Sequence, residues 1–172
     1  MIVTLISFSY KRGLPEDKAG NGGGFVFDCR AMPNPYWDES LRGCTGRDKP
    51  VVDFFARHKD KVNCFLGAAE TLVRQSIGEY LKDGRDHLQV AFGCTGGQHR
   101  SVYFAERMSE RLAGIDEVEV EVSQVVIPFW KVKAESGDGL AIKEVKNGLE
   151  GRNAEALFLG FWYNGSRPMT ID

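Results

Sequence analysis

The run Leu88-Gln-Val-Ala-Phe-Gly-Cys-Thr-Gly-Gly-Gln-His-Arg-Ser101 decides the fold. Leu88 to Gly93 is apolar enough for a buried strand, and the adjacent Gly96 and Gly97 then break the extended chain. From Ser101 to Ala113, Val102, Ala105, Met108 and Leu112 recur at helical spacing, opposite Glu106, Arg107, Glu110 and Arg111, and Gly114 terminates the pattern. A strand therefore enters a tight loop and leaves it as an amphipathic helix.

Reading outward, Ile2 to Tyr10 and Phe25 to Cys29 are β-branched and aromatic runs that predict two more strands. Between them Gly20-Asn-Gly-Gly-Gly24 reads as a mobile loop. A second helix is expected where Val62, Phe65, Leu66, Ala69, Leu72, Val73, Ile77, Tyr80 and Leu81 share a face, with Gly84 at its carboxyl cap. Strands alternating with long helices imply an α/β layered fold, a mostly parallel sheet flanked by helices. Beyond Gly114, Val118-Glu-Val-Glu-Val122 alternates like a strand and Ala156 to Tyr163 is another strand-like run, with Pro128, Gly137, Gly139, Gly148 and Gly151 as punctuation. We read residues 1–114 as a phosphate-binding core and 115–172 as a β-rich extension that completes or decorates the same domain.

With 172 residues, 42% hydrophobic and 27% charged, the chain has the make-up of one globular domain. No apolar run approaches the roughly 18 residues that cross a bilayer, and Met1 to Phe8 reads as a strand rather than a leader, so a cytoplasmic protein is expected. Cys29, Cys44, Cys64 and Cys94 contain no C-x-x-C pair, which argues for free thiols over a metal cage or disulfides; no metal or cofactor is expected. A net charge of −2 gives no global attraction to nucleic acid, so polyanion binding would need a local basic cluster. Trp37, Tyr36 and Trp130 are read as core residues rather than as a base-stacking platform.

A loop between a strand and a helix presents backbone N–H groups and the positive end of the helix dipole to one point, which suits an anion and above all phosphate. Gly96 and Gly97 let the main chain turn, Thr95 and Ser101 offer hydroxyls, and Arg100 offers a planar fork for phosphate oxygens. The bland alternative is a Gly-Gly turn, with Ser101 as a cap and Arg100 solvated. The pattern G-x-x-x-x-G-K-[ST] is not matched, so a P-loop nucleotidase is not indicated. Cys94 and Arg100 do stand as C-x5-R-S, which resembles cysteine-dependent phosphatases. That alternative makes Cys94 a nucleophile and Arg100 the phosphate fork, and it needs an acid from Asp28, Asp38 or Asp48.

Four segments in order carry a wider resemblance: Ser7-Phe-Ser-Tyr-Lys-Arg-Gly-Leu-Pro15, Phe25-Val-Phe-Asp-Cys-Arg-Ala-Met-Pro-Asn-Pro-Tyr-Trp37, Leu41-Arg-Gly-Cys-Thr-Gly-Arg-Asp-Lys-Pro50 and Gly93-Cys-Thr-Gly-Gly-Gln-His-Arg-Ser-Val102. Together they resemble the C-terminal domain of the RapZ/YvcJ family of bacterial RNase adapter proteins, over residues 2 to 114. The resemblance implies a domain that senses glucosamine-6-phosphate, binds small regulatory RNA and forms homo-oligomers, joined in the family to an N-terminal P-loop domain that binds nucleotide. The present chain is read as the stand-alone domain, and a separate nucleotide-binding protein is a candidate partner. Carried over by position, the resemblance places the sugar phosphate on Thr95, Gly96, His99 and Arg100, supported by Lys11, Arg30, Asn34 and Arg42. Residues 115 to 172 hold acidic as well as basic side chains where the family has a short basic tail, which lowers the expectation for RNA. The sequence reading is a binding and sensing module for a phosphorylated metabolite; a phosphatase or phosphotransferase is the alternative.

Overall fold

Asp48 followed by Pro50 opens a helix, because proline at the first turn lacks an N–H that the helix could not have satisfied there. This is α1, Lys49–Ala56, an element that the spacing of apolar residues did not suggest. The computed structural model describes residues 1–17, 19–21 and 23–124. Its strands are β1 (Ile2–Ser9), β2 (Gly24–Asp28), β3 (His87–Cys94) and β4 (Glu119–Gln124); its longer helices are α2 (Lys59–Lys82) and α3 (Arg100–Leu112). Single turns of 3-10 helix occupy Tyr10–Arg12, Cys29–Ala31, Pro35–Trp37 and Glu39–Leu41. The strand expected at Ala156 to Tyr163, Trp130 and the rest of the extension past residue 124 lie outside the described residues.

The four strands form one parallel sheet in the order β2-β3-β1-β4. This is the α/β architecture that the alternation implied. Period-2 patterning sends Val3, Leu5, Leu88, Val90 and Phe92 to the face covered by helices, where they meet Val51, Phe55, Val62, Leu66, Val73, Phe104 and Met108 in one core. Aromatic rings tie its layers: Phe27 lies 5.4 Å from Phe92 and 6.3 Å from Phe65, and Phe65 lies 4.9 Å from Phe104. On the opposite face Ile6, Phe8 and Ala91 form a smaller cluster with Tyr10. Gly93 stands under those rings; a Cβ there would come within 2.6 Å of Tyr10 Cε2 and collide with Phe8, so no larger residue fits before Cys94.

Gly84 ends α2 as its position suggested. At φ +67° it lets its own N–H donate to Leu81 O and the Arg85 N–H donate to Tyr80 O, a paired closure that satisfies the last carbonyls. Leu72, expected on the buried face of α2, lies instead at its exposed edge. Of the glycine run after β1, Gly24 belongs to β2, where a Cβ would overlap the Gln89 carbonyl of β3.

The strand order sets how the connections leave the sheet. After β1 the chain crosses beyond β3 to reach β2, and after β3 it crosses beyond β1 to reach β4. Neighbouring strands whose connections leave in opposite directions open a crevice at their carboxyl ends. Here the carboxyl ends in question are those of β1 and β3, at Ser9 and Cys94, which are register partners.

Candidate anion-binding site

Cys94 ends β3, and the loop turns back over the end of β1, where Ser9 Oγ donates to Thr95 O at 2.8 Å. Gly97 is required on two grounds: its φ is +69°, and a Cβ would lie 2.9 Å from Ser9 Cβ. Gly96 has ordinary φ and open space, so only one of the two glycines is demanded by the backbone. Thr95 and Gly96 are exposed at the tip, while Gly97 to Ser101 are buried.

Beneath the loop, Cys94 Sγ accepts the Gly97 N–H at 3.2 Å and lies 3.2 Å from Ser101 Oγ. The three aspartates available to a phosphatase are engaged as acceptors elsewhere. Asp28 takes the Arg30 guanidinium, with Nη2 at 2.6 Å, and that pairing holds its carboxyl below the usual range. Asp38 takes the Ser40 hydroxyl and N–H, with the same effect, and Asp48 takes the Thr45 N–H and hydroxyl.

At the start of α3 no side chain caps the helix. The first-turn N–H groups of a helix have no intrahelical partner, so they stay available at the crevice. Arg100, the first helical residue, is only 7% exposed. Its Nη1 donates to Arg30 O at 2.8 Å and Met32 O at 3.4 Å, and its buried Nε has no partner among the described residues. A guanidinium held by neutral carbonyls, with a free N–H beside an uncapped helix start, is under-satisfied and attracts an anion.

The loop side chains point inward more than the sequence suggested. His99 Nε2 donates to Leu41 O at 2.8 Å, which requires a proton on Nε2. Gln98, absent from the sequence-derived site, donates from Nε2 to Arg42 O at 2.8 Å and to Cys44 O at 2.5 Å, while its own carbonyl accepts the Gly46 N–H at 3.0 Å. Three consecutive side chains, Gln98, His99 and Arg100, thus hold five carbonyls of residues 30–44. Gln98 carries a weak sequence signal, a long amide in a glycine loop, but backbone acceptors leave no signature of their own.

The other expected residues divide. Arg30 lies at the site, its carbonyl on Arg100 and its guanidinium 4.0 Å over the Tyr10 ring. Arg42 reaches the loop through its carbonyl; its side chain donates to Tyr36 O and pairs with Glu39. Lys11 sits in the exposed turn after β1, one residue from the loop through the Ser9 hydroxyl, which accepts the Lys11 N–H. Asn34 takes the Tyr36 N–H at 3.5 Å within its own turn, as a turn former does. Trp37 and Tyr36 are not core residues: Trp37 is 78% exposed and Tyr36 half-exposed, because three single-turn helices carry them outside the sheet's covered face.

Burial pushes the His99 imidazole below its ordinary pKa, with Arg100 adding to the effect and the Leu41 carbonyl opposing it. A depressed folded-state value means that the unfolded chain takes up the proton first. Stability is then fully present above about pH 6.5 and declines as pH falls towards the folded value, by at most about 1.4 kcal/mol per pH unit. Denaturant unfolding between pH 8 and 5.5 should show this slope, and His99→Gln, which keeps a donor for Leu41, should flatten it. Parallel profiles for the two proteins would remove His99 from the acid sensitivity.

The sequence pattern of the RapZ C-terminal domain matches residues 1–126. A nucleotide-binding protein of Bordetella avium is 43% identical over 116 residues, 67% of this chain and 38% of the relative. One from Acidithiobacillus ferrooxidans is 41% identical over 114 residues, 66% of this chain and 36% of the relative. One from Chromobacterium violaceum is 45% identical over 109 residues, 62% of this chain and 37% of the relative. The matched region is thus little more than a third of the length of these curated relatives.

Proposed function

The chain belongs to the RapZ C-terminal domain family, and on that premise we propose that it binds and senses a phosphorylated amino sugar of the glucosamine-6-phosphate kind at the loop after β3. Family membership implies a regulatory, binding role. The observation that carries the ligand reading is the uncapped start of α3, joined to the buried Arg100, whose Nε has no partner among the described residues, at the carboxyl ends of β1 and β3. On this reading the phosphate meets the first-turn N–H groups and the Arg100 fork, Thr95 and Gly96 contact it from the loop tip, and Ser101, His99 and Gln98 hold the floor. Lys11 and Arg30 supply positive charge at the rim, and Asn34 and Arg42 act through the turn that they shape.

Partners belong to the same proposal: a second copy of this chain, a separate nucleotide-binding polypeptide, and RNA through a local basic cluster. Among the described residues no helix is long and apolar enough to cross a membrane. We place the protein in the cytoplasm and residues 115–172 in the same functional unit as the core.

The test is calorimetric titration with glucosamine-6-phosphate, glucosamine and inorganic phosphate in parallel. Heat that saturates with the sugar phosphate, is weaker with phosphate and is absent with glucosamine is the expected result. No heat with either phosphate compound ends the proposal. The Cys94–Ser101 contact keeps a phosphatase as second reading. Cys94→Ser separates the two, since it abolishes turnover of an aryl phosphate if the thiolate attacks and leaves the binding heat in place if the loop only binds.

A further inference from the structure

Residues 29–46 have little structure of their own. Three single turns of 3-10 helix, begun by the side chains of Asp28, Asn34 and Asp38, carry the exposed Tyr36–Trp37 pair, whose rings meet edge to face at 6.3 Å. Buried Cys29, Pro35 and Leu41 anchor the segment from within. Its attachment to the anion loop is the set of five carbonyls held by Gln98, His99 and Arg100. Of the three residues, Arg100 is the one inside the first turn of α3 whose buried side chain has a donor without a partner among the described residues.

We infer that Arg100 is a switch between two sets of acceptors, the carbonyls of Arg30 and Met32 when the loop is empty and the bound anion when it is filled, so that occupancy is reported at the Tyr36–Trp37 surface. The inference rests on the anion-binding reading above and adds a regulated surface to it. Its driving force is differential. A guanidinium bonds a phosphate oxygen more strongly than a neutral carbonyl, because both partners then carry charge and the fork can engage two oxygens at once, so an arriving anion draws the fork away from residues 30–32. Gln98 and His99 keep the 41–44 end in place, and the movement is confined to the stretch that bears Trp37. The exposed Trp37 side chain then changes position relative to the Tyr36 ring and to Arg42, which stands 5.3 Å over that ring.

The chain contains three tryptophans, and Trp130→Phe with Trp162→Phe leaves Trp37 as the single emitter. In that background, glucosamine-6-phosphate should change Trp37 emission saturably, with the half-point found by calorimetry on the same protein. Arg100→Lys keeps a positive charge at the helix start but lacks the planar fork that holds the carbonyls of Arg30 and Met32. It should bind more weakly yet measurably, show the emission of the filled protein before any ligand is added, and lose the response to ligand. Saturable heat with unchanged Trp37 emission overturns the switch while leaving the binding reading intact, and so does an Arg100→Lys protein that responds as its parent does. Absence of heat overturns both.

Discussion

Gly46→Ala should lower the stability of the protein by about 3 kcal/mol, while Gly43→Ala, three residues away in the same loop, should leave it unchanged to within about 0.5 kcal/mol. Gly46 lies flat against the first turn of α3. A Cβ there would overlap Tyr103 N and His99 O and stand 2.9 Å from Tyr103 Cα. Those first two atoms form the opening hydrogen bond of the helix, at 2.9 Å, so the methyl group would enter beside the bond that starts α3. Relief must come from backbone, which yields far less readily than the end of a flexible side chain. At Gly43 nothing lies within 4 Å of the added carbon. Neither glycine has positive φ, so the contrast isolates packing from backbone strain. Urea unfolding midpoints of the two variants decide the matter, and equal shifts would mean that the loop lifts away from α3 at little cost.

The same contact shows what a sequence can disclose and what it cannot. The strand, loop and helix of residues 88–112 were legible because period-2 and period-3.6 patterns sit on either side of two glycines, and α2 was legible from its apolar face and Gly84. The alternation at 118–122 marked β4. By contrast α1 has eight residues, too few for a periodic signal, and its clue was the Asp48 and Pro50 pair. The strand order was not legible either, since pairing between β1 and β3 joins residues about 85 positions apart through backbone groups that every residue owns. Within the site, Thr95, Gly96, Gly97 and Ser101 lie where a loop entering a helix puts them. The inward turn of Gln98, His99 and Arg100 was hidden, because their acceptors are carbonyls between 54 and 70 residues earlier in the chain. Trp37 was misread for a related reason: an aromatic residue is usually buried, but here Pro35 and the caps at Asn34 and Asp38 carry it out into solvent.

Arg100→Ala should weaken binding of glucosamine-6-phosphate by about 2 kcal/mol or more, roughly 30-fold in Kd, which makes it the largest single loss of affinity expected at this loop. A guanidinium only 7% exposed is poorly screened, and its hydrogen bonds to an anion gain strength from the low dielectric around them. Truncation removes both the fork and the charge while the first-turn amides of α3 remain, so residual binding survives at high ligand concentration. The change also strands the carbonyls of Arg30 and Met32, and a moderate fall in stability is expected alongside. Circular dichroism at the titration temperature therefore accompanies the calorimetry, to establish that the variant is folded when its affinity is read. A folded Arg100→Ala protein that binds as tightly as the parent would show that the anion does not reach the guanidinium. The buried Nε would then belong to the packing of residues 30–32 against α3, and the ligand site would have to be sought elsewhere along the crevice.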